Sequence, residues 1–561
     1  MNLENTIAVG EVERSAGKRP GSSCDVAIIG GGHNALVCAC YLARSRLDVL
    51  VLEAQDVVGG CAVTEEFYPG FRNSVASYTV SLLHPKIIDD LRLREHGLRL
   101  LRRPLGNFLP LSDDESLSLG GGLATTQAEF ARFSKRDAQR LPAYYDMLSR
   151  VTHTLRSLLL TTPPTGAGGI ADIVNLLSAG KRLRSLERET RQDLLDLFSL
   201  SAAELLERWF ESEPVRAAFA FDATVGNFAS PHAAGTAYVL LHHVFGEVNG
   251  HRGEWGHAVG GMGAITQAMA ADARIRGVRI RTGAAVARVT TDGGRTTGVE
   301  LTNGEVIASR CVAASVNPKL LYQQLVDAAD LDDEFRRRIA NYRCGSATLR
   351  MNVALGELPD FRCKPGTELR QHHQAGIVIA PSIEYMDRAY VDARTRGMAR
   401  EPIVEVLIPS TVDDTLAPAG HHVASLFCQH FNPRLPEGAS WDDRREAAAD
   451  LVIETVNAYA PNFSASVLGR QTLTPLDLER RFGLVGGDIF HGALSLNQLY
   501  GARPLLGYGS YRGPIAGLYH CGSGAHPGGG VTGIPGHNAA REIAKDLRSA
   551  RQRLAALIKR N

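Results

Sequence analysis

Residues 24–60 read CDVAIIGGGHNALVCACYLARSRLDVLVLEAQDVVGG, and the rest of the chain is organised around them. The apolar run 26–29 meets Gly30-x-Gly32-x-x-Ala35, a helical stretch opens at His33 and Asn34, and a second apolar run, 49–52, ends in Glu53. Strand, tight turn, helix, strand and acid together make a dinucleotide-binding unit. Gly30 permits the turn, Gly32 lets the backbone approach a pyrophosphate, and Ala35 is small enough for close helix–strand packing. The helix start offers free N–H groups and a partial positive charge to phosphate. Glu53 is placed to accept hydrogen bonds from the adenosine ribose. Taken alone, the unit leaves FAD and NAD undecided.

Composition narrows the class. The 561 residues, 44% of them hydrophobic, suffice for several domains with sizeable cores. Sixty-one basic residues against 60 acidic ones give a net charge of +1, so no global field favours nucleic acid. Nine cysteines occur without a CxxC or CxxxxC pair, which argues for free thiols in a reducing compartment and against a dithiol relay. Residues 1–22 carry no apolar run and read as a disordered tail rather than a signal or transit peptide. With no apolar run of the length a spanning helix needs, the expected location is the cytoplasm.

Along the chain, 64–78 alternates around a Pro-Gly turn as a hairpin does, 81–96 reads as a helix, and 108–119 as a second hairpin. Ser134 with Asp137 and Ser201 with Glu204 carry helix-capping signals in a mainly helical region from about 125 to 245. Within it, 158–160 and 173–177 are apolar and 181–184 basic. The plain reading is a loop and a core-packing helix; the sharper one is an amphipathic lip that touches membrane and admits a lipophilic substrate. A helix over 264–276 leads into a meander of short strands to 312, and 347–354, 377–380, 403–408 and 423–429 read as sheet. A strand at 518–521 then runs into a Gly-rich loop and an Ala-rich helix, a second strand–loop–helix unit suited to a charged cofactor.

Glu53 followed by Gly59-Gly60 resembles the FAD-containing oxidoreductases of the glutathione-reductase-like superfamily, although Cys61 stands where many members have a base. The HisProGlyGlyGlyVal run, 526–531, with Gly533 and Gly536, resembles the carboxy-terminal FAD motif of bacterial phytoene desaturases, with Ser523 in place of a frequent Asp. Longer stretches, 31–37, 62–66, 486–500, 502–504 and 521–531, resemble the family of pyridine nucleotide-disulphide oxidoreductase domain-containing protein 2, whose animal members are mitochondrial. These resemblances imply FAD as cofactor. They imply that Val286 lies against the adenine, that Gly522 passes near the pyrophosphate and ribityl chain, that the Val531-Thr532-Gly533 turn faces the flavin, and that His33, Asn34, Ser523 and Gly530 also bind the cofactor.

The implied fold class is α/β with an α+β substrate domain: a discontinuous Rossmann-like FAD-binding domain of glutathione-reductase type with an inserted mixed-sheet and helical substrate domain. FAD-domain pieces are expected at 23–90, 251–325 and 505–561, and substrate-domain pieces at 91–250 and 326–504. Flavin carries the hard chemistry itself, so no dedicated base is required. His491, His526 and Tyr500 are the candidates nearest the ring, and no metal-ligand spacing occurs. The expected activity is FAD-dependent hydride transfer at a C–C or C=C bond of a polyene or isoprenoid-like substrate. The alternatives are a flavin amine oxidase and a flavin-bearing interaction protein with little turnover.

Overall fold

The computed structural model describes residues 23–166 and 170–558, so the expected tail over 1–22 lies outside the described residues. The opening unit forms as β1 (Ser23–Ile29), α1 (His33–Arg44) and β2 (Val49–Leu52). β1 and β2 pair in parallel with Ile29 opposite Leu52, and every residue of β2 is buried, as a strand covered on both faces requires. Four strands from a later stretch join them: β3 (Arg279–Arg281), β4 (Val286–Asp292), β5 (Arg295–Leu301) and β6 (Val306–Ala314). A seventh, β7 (Leu518–His520), comes from near the end of the chain. The sheet order is β3-β2-β1-β6-β5-β4, with β7 alongside β6.

β6 serves three neighbours. Its first half pairs antiparallel with β5, and its second half runs parallel to both β1 and β7, with Ala314 opposite Ile29 and His520. The meander expected here holds for β4–β5–β6 but not for β3, which pairs in parallel with β2. The carboxyl ends of β1, β2, β6 and β7 therefore share one edge, the place where open α/β sheets bind ligands.

A second seven-stranded sheet runs Val467–Leu473, Thr348–Leu355, His422–Phe431, Met398–Leu407, Gly376–Ile379, Asn107–Pro110, Ser116–Leu119. All pairs are antiparallel except Gly376–Ile379 with Asn107–Pro110. A helical layer including α2 (Lys135–Leu159), α3 (Ile170–Arg184) and α4 (Glu213–Thr224) accompanies it. Tyr144 and Met147 of α2, Phe219 and Phe221 of α4, and Phe427 of the sheet share one core. In the first sheet, α1, α5 (Gly263–Ile275) and α6 (Ile534–Ile558) supply the core on one face through Leu36, Val37, Met269 and Ala539. This is the discontinuous dinucleotide fold with an inserted mixed-sheet and helical region.

Both expected hairpins form, as Thr64–Tyr68 with Phe71–Ser74 and as Asn107–Pro110 with Ser116–Leu119. The helix expected over 81–96 is confined to Pro85–Asp90, because Arg92 adopts a left-handed φ of +48° that ends it. Ser134 accepts from the Asp137 N–H and Ser201 from the Glu204 N–H, as the capping signals predict. The larger correction concerns α3. Ile173, Val174, Leu176 and Leu177 are 53–66% exposed, so they do not pack a core.

Candidate functional site

A cavity of about 1490 Å³ opens at the carboxyl edge of the first sheet and extends to the wall of the second. Small-molecule pockets usually span about 300–1,000 Å³, so this one has room for a cofactor and a substrate together. Gly30, with φ +88°, turns the chain out of β1, and the α1 N-terminus that follows has no side-chain cap, leaving its N–H groups to the cavity. A Cβ on Gly32 would meet nothing within 4 Å, so backbone is presented directly to whatever lies there.

Glu53 organises this end. It is 7% exposed and accepts from the Gly31 N–H at 2.6 Å and the Gln55 N–H at 2.9 Å. Gly31 was missed in the sequence reading. A Cβ there would stand 3.0 Å from both Glu53 Oε2 and Val58 Cγ1, so the acid and the turn are fitted to each other.

The other end is the loop between β7 and α6. Asn34 Nδ2 donates to Ser523 Oγ at 3.1 Å, and His33 Nε2 donates to the Gly530 carbonyl at 3.2 Å, so the first helix is tied to the last loop. Asn34 Oδ1 remains buried with no partner, an acceptor that a ligand hydroxyl would satisfy. Arg503, fully buried, braces the loop by donating to the carbonyls of Ser523, Phe490 and Gln498 at 3.0, 2.6 and 3.1 Å. Asp488 holds the adjoining segment by accepting from the N–H groups of Gly345, Phe490 and Gly492.

Of the residues expected at the cofactor, Gly30, Gly32, His33, Asn34 and Glu53 line the cavity, as do Gly60, Val286, Ser523, Gly530 and Val531. Ala35, Gly59, Gly522 and Thr532 stand behind that lining. Gly522 packs on the Ser315 backbone, where a Cβ would come within 2.6 Å of the carbonyl, and Thr532 caps α6 through the Ile534 N–H.

Of the three candidates for chemistry, only His491 reaches the cavity. Its φ is +56°, its Nδ1 is buried without a partner, and burial pushes its pKa down to about 3, keeping the ring neutral. Tyr500 and His526 do not line the cavity: their rings pack edge to face at 5.1 Å, and His526 Nε2 donates to the Leu158 carbonyl at 3.2 Å. His242 and His243 line the cavity and were read only as a divergent pair. They sit on the short helix Leu241–Val244, where the His242 ring meets Phe490 at 4.9 Å, a contact remote in sequence that nothing in their spacing marks.

All nine cysteines are free, and among the described residues no cluster could hold a metal and no helix is long and apolar enough to cross a membrane.

A family described as flavin containing amine oxidoreductase matches residues 36–349, which takes in most of α1, then β2 and the strands β3 to β6 of the first sheet. The chain belongs to the flavin-containing amine oxidoreductases. Within that family it is similar to pyridine nucleotide-disulfide oxidoreductase domain-containing protein 2 of Rattus norvegicus, at 41% identity over 94% of each chain. It is also similar to the phytoene desaturase (lycopene-forming) of Pantoea ananas, at 23% identity over 91% of this chain and 96% of that one. Its fold matches cyclohexylamine oxidase from Brevibacterium oxydans with a TM-score of 0.53 at 16% identity, covering 94% of this chain and 99% of that one. The cofactor of the family member described here is FAD. The uncapped α1 N-terminus, the open Gly32 and the orphaned Asn34 Oδ1 fit it.

Proposed function

We propose that the protein transfers hydride between FAD and a carbon–carbon bond of a lipophilic, polyene or isoprenoid-like substrate. The observation that carries this reading is the apolar extension of the cavity. Leu82 stands against the Gly530 loop, and Leu148, Phe219 and Phe427 line the far part. FAD supplies hydride acceptance or donation when bound. The chain supplies position and dryness. Gly30–Gly32, Asn34 and Ser523 hold the dinucleotide, while the α6 N-terminus faces the loop and favours negative charge there. His491 serves as a neutral hydrogen-bonding partner rather than a strong base, since a ring with a pKa of about 3 takes up a proton poorly near neutrality.

The similarity to a phytoene desaturase supports the same choice over amine oxidation. The exposed apolar face of α3 is the proposed peripheral membrane contact through which such a substrate would arrive.

Anaerobic incubation of the yellow holoprotein with panels of isoprenoids, polyenes and primary amines, followed by flavin absorbance, tests the reading. Bleaching by a polyene or isoprenoid is expected. Bleaching by amines alone would sink it, as would purified protein that carries no flavin.

A further inference from the structure

Resting on that reading, the far wall of the cavity names a feature of the substrate. Arg350, on the strand Thr348–Leu355, is 1% exposed and lines the cavity. Its Nη2 donates to Ser425 Oγ at 2.6 Å and its guanidinium lies 4.2 Å from the Tyr78 ring centre. Its Nε and Nη1 are buried with no hydrogen-bond partner at all. A buried guanidinium with two idle donors is among the costliest arrangements a fold can hold, and in native proteins such groups are normally met by an anion or a ligand.

The neighbours supply one charge partner but no hydrogen bond to the two idle donors. Arg103 lines the same wall and donates to Thr79 Oγ1 at 2.9 Å, adding a second cation. Glu405 is the nearby carboxylate, 8% exposed, but its Oε2 is engaged by the Tyr78 hydroxyl at 2.5 Å. Glu405 attracts both Arg350 and Arg103, and burial raises its pKa and that of Asp222, which faces the cavity from α4. Two guanidinium groups thus face at most partial compensation. Hydrocarbon alone, whether isoprenoid or polyene, would leave Arg350 as it stands.

We propose that Arg350 and Arg103 bind a carboxylate carried by the lipophilic substrate, so that the enzyme acts on an unsaturated carboxylic acid rather than a neutral hydrocarbon. The planar guanidinium of Arg350 offers its idle Nη1 end-on beside Nη2 and its idle Nε on the other flank beside Nη2, so a carboxylate can take a charge-assisted hydrogen bond from either. The acid head is anchored on the second sheet while the chain extends through the apolar part of the cavity toward the Gly530 loop. Arg350 and Arg103 fix which end of the substrate enters, and so which carbon–carbon bond is presented.

The test is calorimetric titration of the holoprotein with decanoate, 1-decanol and decylamine, which share one chain and differ in the head group. Decanoate is expected to bind at least about tenfold more tightly than 1-decanol, equivalent to ~1.4 kcal/mol. Arg350→Met should lower decanoate to the level of 1-decanol, Arg350→Lys should keep part of the preference, and Arg103→Gln should weaken decanoate with little effect on 1-decanol. Equal binding of decanoate and 1-decanol, or preference for decylamine, overturns the proposal. If Arg350→Met does not fold, Arg103→Gln decides, and an unchanged preference in that variant overturns it. The outcomes separate from those of the parent reading. A colourless protein that still prefers decanoate removes the flavin reading and upholds the anion site; a yellow one without the preference removes the anion site alone.

Discussion

Glu53 carries two tasks that pull on one carboxylate. Its oxygens already hold the Gly31 and Gln55 N–H groups, and the same side chain lines the space where the ribose would lie. Replacing it with alanine leaves a buried donor unpaired, at a cost of about 1–3 kcal/mol, and removes the ribose acceptor. Glu53→Ala is therefore expected to lose flavin during purification, with affinity down by roughly one to two orders of magnitude, read by the ratio of flavin to protein absorbance. Gln should restore the contact to one N–H and rescue part of the loss. Arg503 does comparable work at the other end, since its guanidinium meets the carbonyls of Ser523, Phe490 and Gln498 at once. Arg503→Met would leave those acceptors buried and unmet, at a cost of about 1–3 kcal/mol for each that water cannot reach, measured as a lowered urea midpoint. Lysine would not rescue it, because a point charge cannot replace the fork.

At the scale of elements, α3 is the sharpest departure from the plain reading of its sequence. Ile173, Val174, Leu176 and Leu177 lie outward, beside the exposed Lys181 and Arg184, which suits the surface of an anionic bilayer. Ile173→Glu with Leu177→Glu should abolish co-sedimentation with phosphatidylserine vesicles. It should leave the thermal midpoint nearly unchanged, since these side chains make little core. A drop in stability instead would mean that the face is covered. The β1–α1–β2 unit was legible because all of its signals are local: an apolar run, a turn glycine, and an acid at the next strand end. Gly31 was not, because its constraint comes from Glu53 and Val58, which the fold brings back across the turn. Arg350 was invisible for the same reason. In sequence it is one more arginine between apolar residues, and only the pairing of Thr348–Leu355 with its neighbours turns it to the cavity wall. Tyr500 and His526 stand off the cavity lining. Nearness in sequence to the flavin loop suggested nearness to the ring, whereas in the fold the two rings pack on each other and His526, itself part of that loop, donates to the Leu158 carbonyl.

For the whole molecule, one consequence of closing the cavity is a set of buried imidazoles. His33, His242 and His520 are pushed by burial to pKa values of about 4, and His491 to about 3, against an ordinary value of 6.5. The unfolded chain takes up these protons near pH 6.5, whereas the folded one resists until the lower values. The stability they contribute is thus fully present above pH 6.5 and is lost as pH falls from there toward 4. Thermal midpoints should decline progressively through that window, and a flat profile would show that the rings are hydrated in the folded state. The same architecture makes the cofactor a structural element. The cavity draws on the β1–β2 unit, on β4 and on the loop after β7, three stretches remote in sequence, so FAD binds the folded chain and has no site in the unfolded one. Linkage then adds about 2.7 kcal/mol when free FAD stands at a hundred times its dissociation constant. Scanning fluorimetry of flavin-stripped protein should give a midpoint that climbs with the logarithm of added FAD. In Glu53→Ala the same curve should be displaced to higher FAD concentrations without a change of slope, because the acid alters the affinity and not the linkage. A midpoint indifferent to FAD would refute the view that the cofactor holds both ends of the chain together.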